Sequence, residues 1–322
     1  MNSLRPAIAC LSLLFTIAPT SALLAQSTPT VEIPEAYYTG INQSRAGDYG
    51  GALFELTTAI RFRPGFADAY YQRGFVHERM GNEGEAIADY GRAIQRDSEL
   101  AAAYLQRGKL FYKRGDLASA LKDFDQILAI APNNILGLVA RGKVYAQMGE
   151  AVLALQNFTG AINLDSRYPE AYVERGIVYQ RLNNQVQAVA DYSNAIELNP
   201  ALVTPYLQRG IIYRQGNKLV EAIADYNLAL KNDPNNARAY YLRGVAVEQQ
   251  GQYQAAFRDY SQAINLDDSI GPAFGNRGSI HAQMGDYAAA KNDYQRAAQL
   301  FLDAGKQEDY LLTLDLLRAL PN

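Results

Sequence analysis

The chain has almost none of the residues that most chemistry uses. Its 322 residues include one cysteine, two histidines and no tryptophan. Cys10 lies in a leader-like segment, so the rest of the chain offers no thiol nucleophile, thiolate metal site or disulfide. His77 and His281 stand far apart in sequence, and no Gly-rich phosphate loop follows a predicted strand. The 12 prolines are too few for a disordered chain. Basic charge is also short: 30 Lys and Arg face 33 Asp and Glu, a formal net charge of −3. A mildly acidic chain lacks the footprint of a general nucleic-acid binder. These absences argue against an enzyme, a metal site and a cofactor, and leave packing alone to stabilise the fold.

Long apolar runs are missing too, except at the start. Arg5 precedes an apolar stretch from Ala7 to Ala18, Pro19 to Ser21 break it, and Ala22 and Ala25 supply small residues. Residues 1–25 read as a cleavable secretory signal, cut after Ala25, with Ala22 as the second choice. The stretch is short of the roughly 20 residues a membrane span needs, so membrane contact is expected only if it stays uncleaved. Residues 26–32 read as a polar linker. Periplasmic, lumenal or secreted placement is the expectation.

What the chain does have is a period. Arg-Gly recurs at Arg73-Gly74, Arg107-Gly108, Arg141-Gly142, Arg175-Gly176, Arg209-Gly210, Arg243-Gly244 and Arg277-Gly278, always 34 residues apart. A fixed period of this size means one supersecondary unit stacked many times. Eight units follow: 33–66, 67–100, 101–134, 135–168, 169–202, 203–236, 237–270 and 271–304. The eighth position is Gly and the twentieth Ala in every unit, the fifteenth is Gly or Asn, and aromatics dominate the fourth and twenty-fourth. Gly or Asn at position fifteen ends a helix in the left-handed conformation. Asp48, Asn82, Asp116, Asn184 and Asp286 follow as N-caps. Each unit therefore reads as two helices around a tight turn. Gly at position eight implies close approach, with Ala at position twenty as its small partner. Pro64, Pro132, Pro200 and Pro234 stop the second helix.

These residues and spacings resemble the tetratricopeptide repeat over 33–304. The departures are Arg rather than Leu at position seven, and Ser98, Ser166, Asp268 and Leu302 in place of the late proline. The resemblance implies an all-α, right-handed α-solenoid of stacked antiparallel helix pairs. Residues 305–322 hold one more amphipathic segment, read as a C-terminal capping helix with a polar outer face. The rival reading of that helix is a partner-binding element.

Seven arginines in step suggest a basic stripe, but helix phase assigns them otherwise. At about 100° per residue, positions four, eight and eleven share the core face, and position seven falls on one flank. Position twenty-three lies on the matching flank of the second helix, at the same height. Expected ion pairs are Arg73–Asp89, Arg107–Asp123, Arg175–Asp191, Arg209–Asp225, Arg243–Asp259 and Arg277–Asp293. A further reach to the acid of the preceding unit, as Arg73 to Glu55, would make an alternating ladder.

The resemblance implies that first helices line a concave groove through positions two, five, six, nine, twelve and thirteen. In the first four units these include Tyr37, Ile41, Arg45, Tyr71, Phe75, Arg79, Leu105, Lys109, Tyr112, Lys113 and Lys143, aromatic and basic together. Aromatics and Arg are the usual interface anchors. An acidic, extended segment with apolar side chains is the expected ligand. The bland alternative has Tyr37, Tyr71 and Phe75 packing between units and the lysines solvated. No unit carries the Lys and Asn pair at positions five and nine by which related co-chaperone repeats hold a C-terminal carboxylate. The functional expectation is a non-enzymatic protein–protein scaffold of the envelope or a lumen, with self-association as the rival.

Overall fold

The computed structural model describes residues 34–321; the expected signal, its cleavage points, Cys10 and the 26–32 linker lie outside the described residues. Among the described residues are seventeen helices and no strand. The eight repeats supply them in pairs: α1 (Glu35–Ala46) and α2 (Tyr49–Phe62), α3 (Ala67–Arg79) and α4 (Glu83–Arg96), α5 (Ala101–Lys113) and α6 (Leu117–Ile130), α7 (Ile135–Met148) and α8 (Ala151–Leu164). Then come α9 (Pro169–Arg181) and α10 (Gln185–Leu198), α11 (Val203–Gln215) and α12 (Leu219–Asn232), α13 (Ala237–Gln249) and α14 (Tyr253–Leu266), α15 (Gly271–Gln283) and α16 (Tyr287–Asp303). A last helix, α17 (Gln307–Arg318), packs on α16. Each helix packs on the next along the chain, and first helices of adjacent repeats also touch. The result is an α-solenoid.

Turn chemistry sets the hairpins. Position fifteen is left-handed throughout, with φ of 77 to 84° at its glycines and 57° at Asn183 and Asn217. Of the five expected caps, Asp48, Asp116 and Asp286 accept from backbone N–H groups of Gly51, Ser119 and Ala289. Asn82 and Asn184 make no cap bond. Asn134 and Asn236, which start first helices, do cap them, accepting from Gly137 and Ala239.

The glycine at position eight is crowded by the expected alanine and, more closely, by a ring: a Cβ on Gly74 would lie 3.2 Å from the Ala86 carbonyl oxygen and 2.9 Å from the Tyr90 ring. A Cβ on Gly176 would lie 2.7 Å from Tyr192 Cε1, and one on Gly210 would lie 2.6 Å from Tyr226 Cε1. The ring at position twenty-four sits against the glycine, and Ala at position twenty is packed beside it. Tyr90, Tyr192, Tyr226 and Tyr260 are fully buried there. Burying such a ring contributes about 1.5–3 kcal/mol. A second buried stripe went unseen in the sequence. Position three (Ala69, Ala103, Ala171) and position ten (Val76, Leu110, Val144, Ile212) are buried against the preceding repeat, as Val76 is against Ala52 and Leu56. Position eleven, assigned to the core by phase, is only half-buried at His77 and His281.

The two ends differ. At the start, Glu35, Thr39 and Asn42 occupy the positions that face a preceding repeat elsewhere, so that end is polar. At the other end, α17 turns Thr313, Leu314 and Leu317 inward but leaves Leu311, Leu312 and Leu316 exposed by 51, 62 and 39%. The outer face of α17 is therefore mixed, with these leucines among the exposed Glu308, Asp309, Asp315 and Arg318 that were expected there. Its leucines, together with Tyr310, are spread too far around a twelve-residue helix for one packing face to cover them.

Candidate functional site

Six arginines grip their aspartates bidentately. Nε and Nη2 of Arg73 donate to Asp89 at 2.7 and 2.8 Å, and those of Arg209 to Asp225 at 2.9 and 2.7 Å. Arg107–Asp123, Arg175–Asp191, Arg243–Asp259 and Arg277–Asp293 repeat the geometry. The aspartates are buried, and the Arg209 guanidinium is held above its ordinary pKa chiefly by the Asp225 hydrogen bond, against burial. Ring faces cover several of these arginines, as Tyr70 does Arg73 and Tyr240 does Arg243.

The link to the preceding repeat runs through position twenty-five rather than twenty-three. Arg73 Nη1 donates to Thr57 instead of reaching Glu55; Arg175 takes Thr159, Arg209 Ser193, Arg243 Asn227 and Arg277 Ser261. Position twenty-five, not twenty-three, is the position of the preceding second helix that these guanidinium groups reach. Arg141 differs from the rest. Its own repeat offers Asn157, and its carboxylate, Asp125, comes from the preceding repeat at 2.9 Å. None of these arginines and aspartates lines the clefts described next.

The expected groove residues divide into three groups. Tyr37 and Tyr71 pack between helices: Tyr37 lies 4.7 Å from the Phe66 ring, and Tyr71 lies 5.7 Å from that of Tyr90. Burial pushes the Tyr37 hydroxyl up to about 12. Ile41 and Phe75 are half-buried beside them. In the second group, Arg79 and Lys113 border a cleft with Glu78 and Glu83, where Lys113 Nζ stands 2.6 Å from Glu83 Oε1. Arg79 Nε reaches Tyr49 Oη at 3.4 Å. Lys113 and Arg114 together hold the Glu83 carboxyl below its ordinary pKa.

The third group converges. Leu105, Lys109 and Tyr112 of α5 meet Leu136, Val139, Ala140 and Lys143 of α7 and Tyr168, Glu170 and Glu174 at the start of α9, around a cleft of about 320 Å³. That volume suits one large side chain or a short segment. The lining is mostly apolar, and Leu136 is 47% exposed. Lys143 Nζ is 3.0 Å from Glu174 Oε1, while Lys109 has no ion-pair partner among the described residues. A second cleft continues past Tyr112 and Lys143 to Ile177 and Arg181. The site therefore centres on repeats three to five, not on the first four. Leu136, Val139, Tyr168, Glu170 and Glu174 were missed. Leu136 carried a usable signal: position two is polar, charged or small in the other units that have it exposed, such as Asp68, Ala102 and Glu170.

Sequence comparison agrees with this architecture. Models described as tetratricopeptide repeat match residues 67–100, 101–134, 169–202, 237–269 and 271–303, and one described as TPR repeat matches 210–251. The chain belongs to the tetratricopeptide repeat family. A tetratricopeptide repeat protein from Parabacteroides merdae shares its fold at 21% identity and a TM-score of 0.62, over 76% of this chain and 97% of that one. A chain of the APC/C hetero-tetramer Cut9–Hcn1 does so at 16% identity and 0.63, over 85 and 53%. A PilF structure from Pseudomonas aeruginosa gives 21% and 0.58, over 69 and 99%. At these identities the likeness shows the fold alone. No curated protein matches the chain.

The family fold supports a protein–protein interaction scaffold, and the family is generally non-catalytic. Among the described residues no cluster of His, Cys, Asp and Glu could hold a metal, and no helix is long and apolar enough to cross a membrane.

Proposed function

We propose that this protein is a non-enzymatic, exported adaptor that binds an extended peptide segment in its concave groove. The observation that carries the reading is the apolar cleft between α5, α7 and α9, open to solvent and bordered by the unpaired Lys109. Leu136, Val139 and Leu105 would seat an apolar side chain. Lys109 would take an acidic neighbour on one side, and Glu170 a basic one on the other. The exposed Lys113–Glu83 pair contributes little, so a ligand acid can compete for Lys113. Export rests on the N-terminal segment alone and predicts a mature protein beginning at Gln26.

Selection from a displayed peptide library tests the reading. Winners should share a bulky apolar residue, and Leu136→Asp should weaken their binding about ten-fold or more, at an unchanged melting temperature. Peptides that bind Leu136→Asp as well as wild type would place the ligand elsewhere.

Self-association is the second reading, and one observation favours it: Leu311, Leu312 and Leu316 exposed on α17. A polar start and an apolar end do not match head to tail, so growth into a filament is disfavoured and a closed dimer through α17 is the form to test. Light scattering of residues 26–322 beside Leu312→Asp decides it: a dimer lost in the variant supports this reading, and a wild-type monomer ends it.

A further inference from the structure

The apolar cleft has a more polar neighbour, a cleft of about 490 Å³ that begins where the first ends. Tyr112, Lys143 and Glu174 border both. Past them the second cleft runs to Ala146 and Gln147 of α7 and to Ile177 and Arg181 of α9. From Val139 in the first cleft to Ala146 in the second is two turns of α7, roughly 10 Å. Extended chain covers that distance in about three residues. A segment seated in one cleft therefore reaches the other.

Charge separates the two clefts. In the first, Lys109 and Lys143 stand against Glu170 and Glu174, and the charges cancel. In the second, Glu174 is the acid on the wall, and Lys143 already holds it at 3.0 Å. Arg181 is left over, with no ion pair among the described residues.

The Arg181 guanidinium is nonetheless fixed. Its Nη1 donates to the Ala146 carbonyl of the preceding repeat at 3.1 Å. Five of the six bidentate arginines also send Nη1 to the preceding repeat, and their Nε and Nη2 clasp a carboxylate, as Arg175 does with Thr159 and Asp191. On Arg181 the Nε and Nη2 donors have no partner among the described residues, and the side chain is exposed. Other cations at position thirteen are matched within the stack, Arg79 by Tyr49 and Lys113 by Glu83.

We propose that Arg181 binds a carboxylate of the docked peptide through Nε and Nη2, so that the groove selects a bulky apolar residue with an Asp or Glu about three residues away. Resting on the groove reading above, this second contact completes the pattern that the groove recognises. A single-point ion pair at an exposed site contributes little, but a bidentate one on a guanidinium already held in place is the exception. Fixing by the Ala146 carbonyl also lowers the ordering cost of binding.

Peptides selected on wild type from a random displayed library are the probe. The winners should carry the apolar residue and, at a fixed offset of about three residues, Asp or Glu. One winner is then made with its acid and with the matching amide, Asn or Gln, and each is titrated against wild type and Arg181→Gln. That variant should fold and melt with wild type, because Gln147, Gln215, Gln249 and Gln283 stand at the same position in other repeats. Wild type should prefer the acid peptide about ten-fold, and Arg181→Gln should bind the two alike. Winners with no acid at a fixed offset, or an acid preference that survives in Arg181→Gln, overturn the proposal and leave the apolar cleft standing. If Leu136→Asp binds the winner normally while the acid preference still depends on Arg181, the cleft fails and this site stands. A library without binders ends both.

Discussion

In the sixth repeat, Arg209 holds Asp225 through two hydrogen bonds, takes Ser193 with a third and lies over the Tyr213 ring. In the fourth, Arg141 meets Asn157 in its own repeat and finds its carboxylate, Asp125, on the repeat before. Position four there is Leu138 in place of a ring. Asp225 is 4% exposed and Asp125 47%. The same arginine is thus held once by a buried bidentate partner and once by a solvated one. What the solenoid keeps at each step is a carboxylate within reach of the guanidinium, while its address can change. The fourth repeat, where the pairing is loosest, also supplies Leu136 and Lys143 to the apolar cleft.

Removing the arginine separates the two cases. Arg209→Ala leaves Asp225 buried and unpaired, which should cost about 3–5 kcal/mol. The loss should appear in the denaturant midpoint of the unit holding repeats five and six, since repeat stacks unfold by neighbouring units. Arg141→Ala strips a solvated ion pair but also leaves the buried Asn157 Oδ1 without its donor, so it should cost about 1–3 kcal/mol, less than Arg209→Ala. Equal losses in the two variants would show that burial does not distinguish the rungs. In the other direction, Asn157→Asp restores the regular partner and should raise the midpoint of the fourth repeat by up to about 1 kcal/mol; a lower midpoint would mean that the added carboxylate and Asp125 repel each other more than Arg141 binds them.

The smallest effect concerns the second repeat, where a titratable base stands beside the rung. His77 Nε2 is 3.9 Å from Asp89 Oδ2, and burial lowers the imidazole pKa despite that acid. A lowered folded-state pKa means that the unfolded chain takes up the proton first. The associated stability is present above about pH 6.5 and is lost as pH falls through the folded-state value. Phe111 occupies the same position, so His77→Phe should fold. Wild type should lose more melting temperature than His77→Phe as pH falls from neutral to mildly acidic. Parallel losses would remove His77 as the cause.

The repeat period carried most of the fold. Gly at position eight, Ala at twenty and Gly or Asn at fifteen each perform one steric task in every unit, so eightfold repetition makes that task legible. The Arg–Asp pairs were legible for the same reason, because both members sit eight residues from one turn. Relations between repeats were not. The reach of Arg73 to Thr57, and the burial of Val76 against Leu56, depend on the angle between successive hairpins, which no single-hairpin periodicity encodes. The groove was only partly legible. Tyr37 and Tyr71 looked like ligand anchors but pack between helices, and Lys113 and Lys143 face Glu83 and Glu174, acids that lie on other repeats.

The central claim is a division of labour: repeated residues hold the stack, and departures from the repeat hold the ligand. Arg209→Ala and Leu136→Asp, each measured for melting temperature and for affinity to a peptide selected on wild type, test it directly. The predicted result is a crossover. Arg209→Ala melts earlier but binds normally at temperatures where it is folded, and Leu136→Asp melts with wild type but loses about ten-fold or more in affinity. Normal binding by Leu136→Asp, or lost affinity in folded Arg209→Ala, would contradict it.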